Sequence, residues 1–255
     1  MTMTLTRSDA IFGAARTLSA RLLLGLPVTR ADLTEAMTAS AGGNDASGAW
    51  QQRESFEALE VALALTAPQL VNALDANAAI DVLEALAADL PTHTVRSESQ
   101  LAFQQFSTPP ALAYLAVHLA RLTRQDVVLE PSAGTGIIAS LVAAQAGRCM
   151  LNELEPVRAQ LLKAIFPTAT VSRHDGAKLG ALLAQTERPS AVVMNPPFSV
   201  SQSRGEDPNT AARHLRAALD LVLPGGRIVA IMPDWFAPDA RHGEVYRRTL
   251  EGARE

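Results

Sequence analysis

The sequence predicts an α/β protein, a doubly wound Rossmann-like sheet preceded by a small all-α region, and three observations carry that expectation. From residue 127 onward, short apolar stretches alternate with helical segments, the pattern of a parallel sheet wrapped by helices. The first stretch runs through Glu130-Pro131-Ser132-Ala133-Gly134-Thr135-Gly136 straight into a helical segment, which places a glycine turn at the carboxyl end of a strand, where such sheets bind ligands. Before residue 91 the chain holds only Ala/Leu/Glu-rich segments at helical spacing.

Taken in order, residues 8–25 read as a helix capped by Ser8, with Ile11, Ala15, Leu18 and Leu22 on one apolar face. Thr29 caps a short second helix, and the Gly/Ser/Asn/Asp run at 40–48 is a loop. Segments 50–66 and 68–90, the second opening on Pro68, read as two further Ala/Leu/Glu-rich helical segments. Residues 1–90 therefore form a helical accessory or docking domain, 91–108 a linker that reaches the ligand edge, and 109–255 the α/β domain. In that domain the strands are expected at 127–130, 149–153, 170–173, 191–195 and 227–232. The helix over 111–122 starts from Thr108, Pro109 and Pro110, which suit an N-cap and a first turn.

Composition limits the function classes. With 255 residues, 48% of them hydrophobic, the chain has material for one sizeable core and a smaller accessory unit. The single Cys149 excludes an internal disulfide framework and a multi-cysteine zinc site, and fits a reducing compartment, with the cytoplasm as the default. Leu22 to Leu26 resembles a secretory core, but Asp9, Arg16 and Arg21 interrupt it, and no stretch reaches transmembrane length. A net charge of -4 argues against a surface that is a nucleic-acid clamp throughout, and its acidic excess lies in the first hundred residues, so nucleic-acid contacts are expected from the second part.

The residues with chemistry cluster at the predicted strand ends. The strand at 191–195 ends in Asn195-Pro196-Pro197-Phe198, where Pro196 must stop ladder pairing for want of a backbone donor. The Asn195 side-chain oxygen and the Pro196 carbonyl are two acceptors and Phe198 is a flat apolar surface, a combination suited to a planar aminated group. No Gly-Lys-Ser/Thr follows Gly134 and Gly136, which excludes a phosphate-binding Walker loop. Glu153 comes 19 positions after Gly134, the spacing at which an acidic side chain reaches a ribose diol. Asp175 follows the third strand, where a carboxylate can accept from an adenine amino group. His174 beside it reads as surface.

The motifs Phe106-Ser107-Thr108-Pro109, Glu130 to Gly136 and Asn195 to Phe198, in that order, resemble those of class I S-adenosylmethionine-dependent amino-methyltransferases, specifically adenine DNA methylases. A wider set, including Leu90-Pro91-Thr92-His93-Thr94 and Asn152-Glu153-Leu154, is similar to the methylase region of bacterial strawberry notch-like proteins, in which a methylase is joined to a helicase. The resemblance implies a Rossmann-like class I methyltransferase sheet with S-adenosyl-L-methionine as cofactor. It implies that Phe106 and Thr108, with Pro109, touch the methionine end. Glu130, Ser132, Gly134 and Gly136 would cradle the middle, Glu153 the ribose and Asp175 the adenine, while Asn195, Pro196, Pro197 and Phe198 hold the target amine of DNA.

After the fifth strand only residues 233–255 remain; residues 244–250 could form the further helix usual in such sheets, but too few are left for both strands of the antiparallel pair. The expectation is a fragment or split gene product that works with a helicase partner or a missing C-terminal region. Arg204, Arg213 and Arg216 lie near the target turn as candidate phosphate contacts, though scattered arginines are more often a solvated face. Two other readings compete with DNA adenine methylation: a non-catalytic cofactor-binding or docking module, and methylation of an RNA guanine amine or a protein glutamine amide.

Overall fold

The structure is a computed structural model, described here for residues 6–91, 107–180, 188–198, 209–240 and 243–251. Its helical region consists of α1 (Arg7–Leu23), α2 (Arg30–Ala41), α3 (Gln52–Val71) and α4 (Ala76–Ala88). Helix α1 is capped by Thr6 rather than by Ser8. Thr6 and Asp9 form a reciprocal capping box that satisfies two free amides at once, and Ser8 instead donates its hydroxyl to Gln160 at 3.1 Å. The cap at Thr29 is as expected, completed by Asp32, and Gly42 closes α2 in the left-handed conformation.

Pro68 does not break α3. It lies one turn from the end of the helix, so its missing amide costs a single bond, which the burial of Ala64, Ala67 and Val71 offsets. The helix ends at Val71 instead, and Asp75 then accepts from the amides of Asn77 and Ala78 and starts α4.

The second half runs α5 (Pro110–Leu119), β1 (Val127–Glu130), α6 (Ile137–Ala143), β2 (Arg148–Asn152), α7 (Pro156–Ile165), β3 (Thr170–Ser172), a single 3-10 turn at Gly176–Lys178, β4 (Ala191–Met194), α8 (Thr210–Leu221), β5 (Arg227–Ala230) and α9 (Gly243–Thr249). The five strands form one sheet in the order β3-β2-β1-β4-β5, and every pairing is parallel. This is the Rossmann-like architecture expected from the alternation, with each strand within a residue or two of its predicted bounds. Among the described residues β5 pairs with β4 alone, and no helix is long and apolar enough to cross a membrane.

Both faces of the sheet are covered. On one, Val128, Ala191 and Val193 share a core with α5 and α6 and also with Ala64, Ala67, Ala79 and Leu83 of α3 and α4. On the other, Leu129, Val192 and Met194 pack against Ala212, Leu215 and Ala218 of α8. Helices α3 and α4 are thus built into the core of the sheet.

At the amino ends of the strands, Asp126 accepts from Arg227 Nη2 and Ser190 Oγ, both at 2.7 Å, and from the Thr123 amide at 2.8 Å. Burial opposes its charge, but the bonds from Arg227, Ser190 and Thr123 outweigh that and hold the carboxyl well below the usual range. A depressed carboxyl adds stability above its unfolded value and loses it as the pH falls toward the folded one. Asp126→Asn is therefore expected to cost about 1.5–3 kcal/mol at pH 7, the worth of a hydrogen bond to a charged group. The difference from the parent should shrink below pH of about 4, as read from thermal melts between neutral and acid pH. A difference constant across that range would contradict the ionised assignment.

Candidate active site

The carboxyl ends of β1 and β4 are neighbours at the centre of the sheet, and the chain leaves β1 toward β2 on one side and reaches β4 on the other. That is a switch point, the position where an open α/β sheet forms a ligand crevice. Glu130 and the glycine turn leave β1 there, and the Asn195 turn leaves β4.

Two glycines shape the first turn, Gly134 at φ 55° and Gly136 at φ 95°. At Gly136 a Cβ would also approach Phe166 Cε2 to 3.0 Å, so both conformation and space require glycine. The turn is tied to β2 by the Ala133 amide, which donates to the Asn152 carbonyl at 2.9 Å, and by the Gly134 amide, which donates to Glu153 Oε2 at 2.8 Å. The other Glu153 oxygen accepts from the Glu155 amide at 2.8 Å. Burial raises the Glu153 carboxyl above its ordinary value, and these two amides and nearby Arg158 offset only part of that rise. Each oxygen retains a free lone-pair direction, so the carboxylate can still accept from a hydroxyl pair.

Glu130 is buried beneath the turn at 2% exposure, and its Oε2 has no hydrogen-bond partner. Burial, reinforced by the charge of Glu153, pushes its carboxyl well above the usual range, against a smaller pull from the Ala139 amide. It is a buried polar group with one oxygen unpartnered rather than an exposed anion. Ser132 is half-buried on the same turn.

Asp175 is exposed after β3, where it accepts from the Ala177 amide at 3.1 Å and lies 3.8 Å from Lys178 Nζ. Its loop rests on His214 of α8, whose Nδ1 would be 2.6 Å from a Cβ at Gly176. His214 is buried, and burial lowers its pKa to about 4, with Asp175 raising it and Arg213 lowering it less strongly. It is neutral near pH 7 and its Nδ1 lacks a partner.

On the β4 side, the Asn195 amide donates from Nδ2 to Thr108 Oγ1 at 2.9 Å. Its Oδ1 is buried without a partner. Pro196 is buried, Pro197 half-buried, and Phe198 keeps 38% of its surface exposed. Thr108 does not cap α5. Pro109 occupies the cap position without a side-chain bond, because the Thr108 hydroxyl is turned instead toward Asn195, 87 residues away. Phe106 and Arg204 lie outside the described residues. Arg216 pairs with Asp220 at 3.4 Å and donates to the carbonyls of Thr249 and Glu251, which makes it a tie between α8 and α9.

The structure therefore brings Glu153 onto Gly134 and Thr108 onto Asn195, and sets Asp175 at the same end of the sheet. It also reveals residues the sequence reading missed. Asn152 uses its whole amide: Nδ2 donates to the carbonyls of Pro131 and His174, and Oδ1 accepts from Ser172 Oγ and the His174 amide, all at 2.9–3.0 Å. It rivets the ends of three strands together; the sequence reading places it in the Asn152-Glu153-Leu154 motif but gives it no role of its own. Glu57, Glu60 and Arg158, taken up below, gave no local signal beyond acids one turn apart on a helix.

No protein-family model matches this chain, and no curated protein is significantly similar to it. Solved structures similar to it include Trm5b from Pyrococcus abyssi, at 18% identity over 58% of this chain and 41% of that one, with a TM-score of 0.42. An rRNA methylase from Streptococcus thermophilus matches at 12% identity over 58% and 81%, TM-score 0.41. A SAM-dependent O-methyltransferase from Thermotoga maritima matches at 11% identity over 67% and 55%, TM-score 0.42. The architecture rests on the strand order of this chain itself, and nothing about its substrate follows from these likenesses.

Proposed function

We propose that this protein transfers a methyl group from S-adenosyl-L-methionine to an exocyclic amine, with the 6-amino group of adenine in DNA as the first candidate. The observation that carries the reading is the buried, unpartnered Asn195 Oδ1. A buried acceptor left unsatisfied costs about 1–3 kcal/mol, and this one stands where β4 ends beside the glycine turn of β1, as a bond to an amine hydrogen requires.

The residues fit the cofactor. Gly134 and Gly136 lack side chains where a ligand lies against the turn, Glu153 has lone pairs left for a ribose diol, and exposed Asp175 can accept from an adenine amine. Thr108, and Phe106 before it, are placed toward the methionine end by the resemblance in the sequence. The bound group supplies an electrophilic sulfonium methyl.

The chain's own part is to prepare the nucleophile. The amino nitrogen of adenine is weak because its lone pair is delocalised into the ring. Asn195 Oδ1 accepts one amine hydrogen and the Pro196 carbonyl the other, which favours a pyramidal nitrogen with its lone pair free. Orientation of that kind is worth up to about 7–11 kcal/mol in well-placed systems, so no strong base is needed, and neutral His214 beneath the Asp175 loop need not act as one. The partly exposed Phe198 offers a stacking face to an extruded base, offsetting part of an unstacking cost of about a few kcal/mol. With a net charge of -4 and Arg216 engaged internally, most phosphate contacts would come from a partner such as a helicase or from a further region of the same protein.

Incubation with methyl-labelled cofactor and DNA, RNA or protein tests this directly. Label is expected in DNA, at adenine. Label in RNA or protein instead would move the assignment to a guanine amine or a glutamine amide, and cofactor binding without transfer to any of them would leave a binding module.

A further inference from the structure

Thr135 stands between the two left-handed glycines of the turn, and its hydroxyl donates to Glu60 Oε2 at 3.0 Å. Glu60 belongs to α3, 75 residues earlier. One turn before it on the same helix, Glu57 accepts from Arg158 Nε of α7 at 3.1 Å, with the two side chains only 8% and 4% exposed. Arg158 Nη2 lies 3.9 Å from Glu60 Oε2, and its Nη1 comes within 3.9 Å of where a Cβ at Gly134 would be.

Stability alone is a poor reason for such a cluster. Burying a guanidinium with two carboxylates carries a large desolvation cost, and well-packed apolar residues in their place are often as stable or more so. What directional charged groups add is geometry. Two glycines at positive φ bring no side chain to anchor the turn and lose the most freedom when it is ordered, so its shape must be imposed from outside. The Glu60–Thr135 bond does this from α3, as Glu153 does from β2.

On the reading of the glycine turn as a cofactor site, we infer that α3 is a working part of that site. Glu60 and Arg158 are positioning residues that hold Thr135 and Gly134 in the ligand-ready shape, so α3 supports the methyl-donor pocket from behind the turn. This goes beyond an accessory or docking role for residues 1–90, and it predicts that perturbing a helix with no ligand contact of its own weakens cofactor binding.

The test uses the full chain with Thr135→Val, Thr135→Ser and Glu60→Met. Amide hydrogen exchange of peptides covering residues 131–139 is measured without ligand, and S-adenosyl-L-methionine affinity by calorimetry. T135V and E60M are expected to exchange about tenfold faster in that segment alone and to bind cofactor about tenfold more weakly, the scale of one hydrogen bond. T135S, which keeps the hydroxyl, restores both. Unchanged exchange in T135V and E60M overturns the inference, as does a rise spread evenly over all segments or a T135S that behaves like T135V. Absence of cofactor binding by the parent chain defeats the proposed function instead, and the exchange arm then decides the anchoring by itself.

Discussion

Asn195→Ala is expected to lower methyl transfer at least about 10²-fold, the scale of removing one preorganised polar partner from a reacting group, while cofactor affinity stays within a few fold. The strand that delivers this residue is rigid: Ala191, Val192, Val193 and Met194 are each 0% exposed, and the proline that follows ends the ladder at a set point. The amide is also oriented, because Nδ2 is held by Thr108 and Oδ1 is thereby turned away from it. Stability should move much less than activity. Alanine relieves a buried acceptor with no partner in the free protein but also loses the Nδ2 bond to Thr108, so unfolding free energy is expected to stay within about 1.5 kcal/mol of the parent. Glu153→Ala should show the reverse pattern, with cofactor binding lost first, since it removes both the proposed diol acceptor and the bond to the Gly134 amide. Parallel calorimetry and single-turnover transfer separate the two variants, and equal loss of cofactor binding in both would contradict the division of roles.

Arg158→Met should be the most damaging single change to the fold, at about 3–5 kcal/mol, because it strands the buried Glu57 carboxylate without its cation. The pH dependence identifies the cause. Burial raises the Glu60 carboxyl, Arg158 pulls it down, Glu57 pushes it up and the Thr135 hydroxyl pulls it down less, so without Arg158 the larger opposing pull is gone. A carboxyl whose folded pKa is raised destabilises the fold while ionised and ceases to do so once protonated. The deficit of R158M is therefore largest at neutral pH and narrows as the pH falls through the raised folded value toward the ordinary carboxylate range, whereas that of Asp126→Asn narrows only below that range. Denaturant unfolding of parent and variant at several pH values checks this, and a deficit independent of pH would assign the loss to packing of the arginine stem instead.

Much of the architecture was readable in the residues because its signals are local. Strand length, the alternation with helices, the glycine turn and the proline stop after Asn195 each depend on neighbours a few residues apart, and β1 starts and ends where the pattern says. Local reading erred where two local signals competed. Ser8 and Thr6 are both competent caps, and Thr6 prevails because Asp9 completes the box; Pro68 is a helix breaker, but near the end of α3 the core behind it is worth more than one amide bond.

The candidate site was legible as a set of residues and not as an arrangement. Composition and spacing brought out Glu130, Gly134, Glu153, Asp175 and Asn195, yet Glu130 turned out to lie beneath the turn, and Thr108 to orient an amide rather than cap a helix. The bonds from Glu60 to Thr135 and from Glu57 to Arg158 span 75 and 101 positions. A glutamate on a helix looks alike in sequence whether it faces water or a buried guanidinium. Only the packing of α3 against the sheet removes these groups from water, and with the solvent gone each charge must find a partner in the chain, which is how a helix that carries no motif comes to touch the glycine turn.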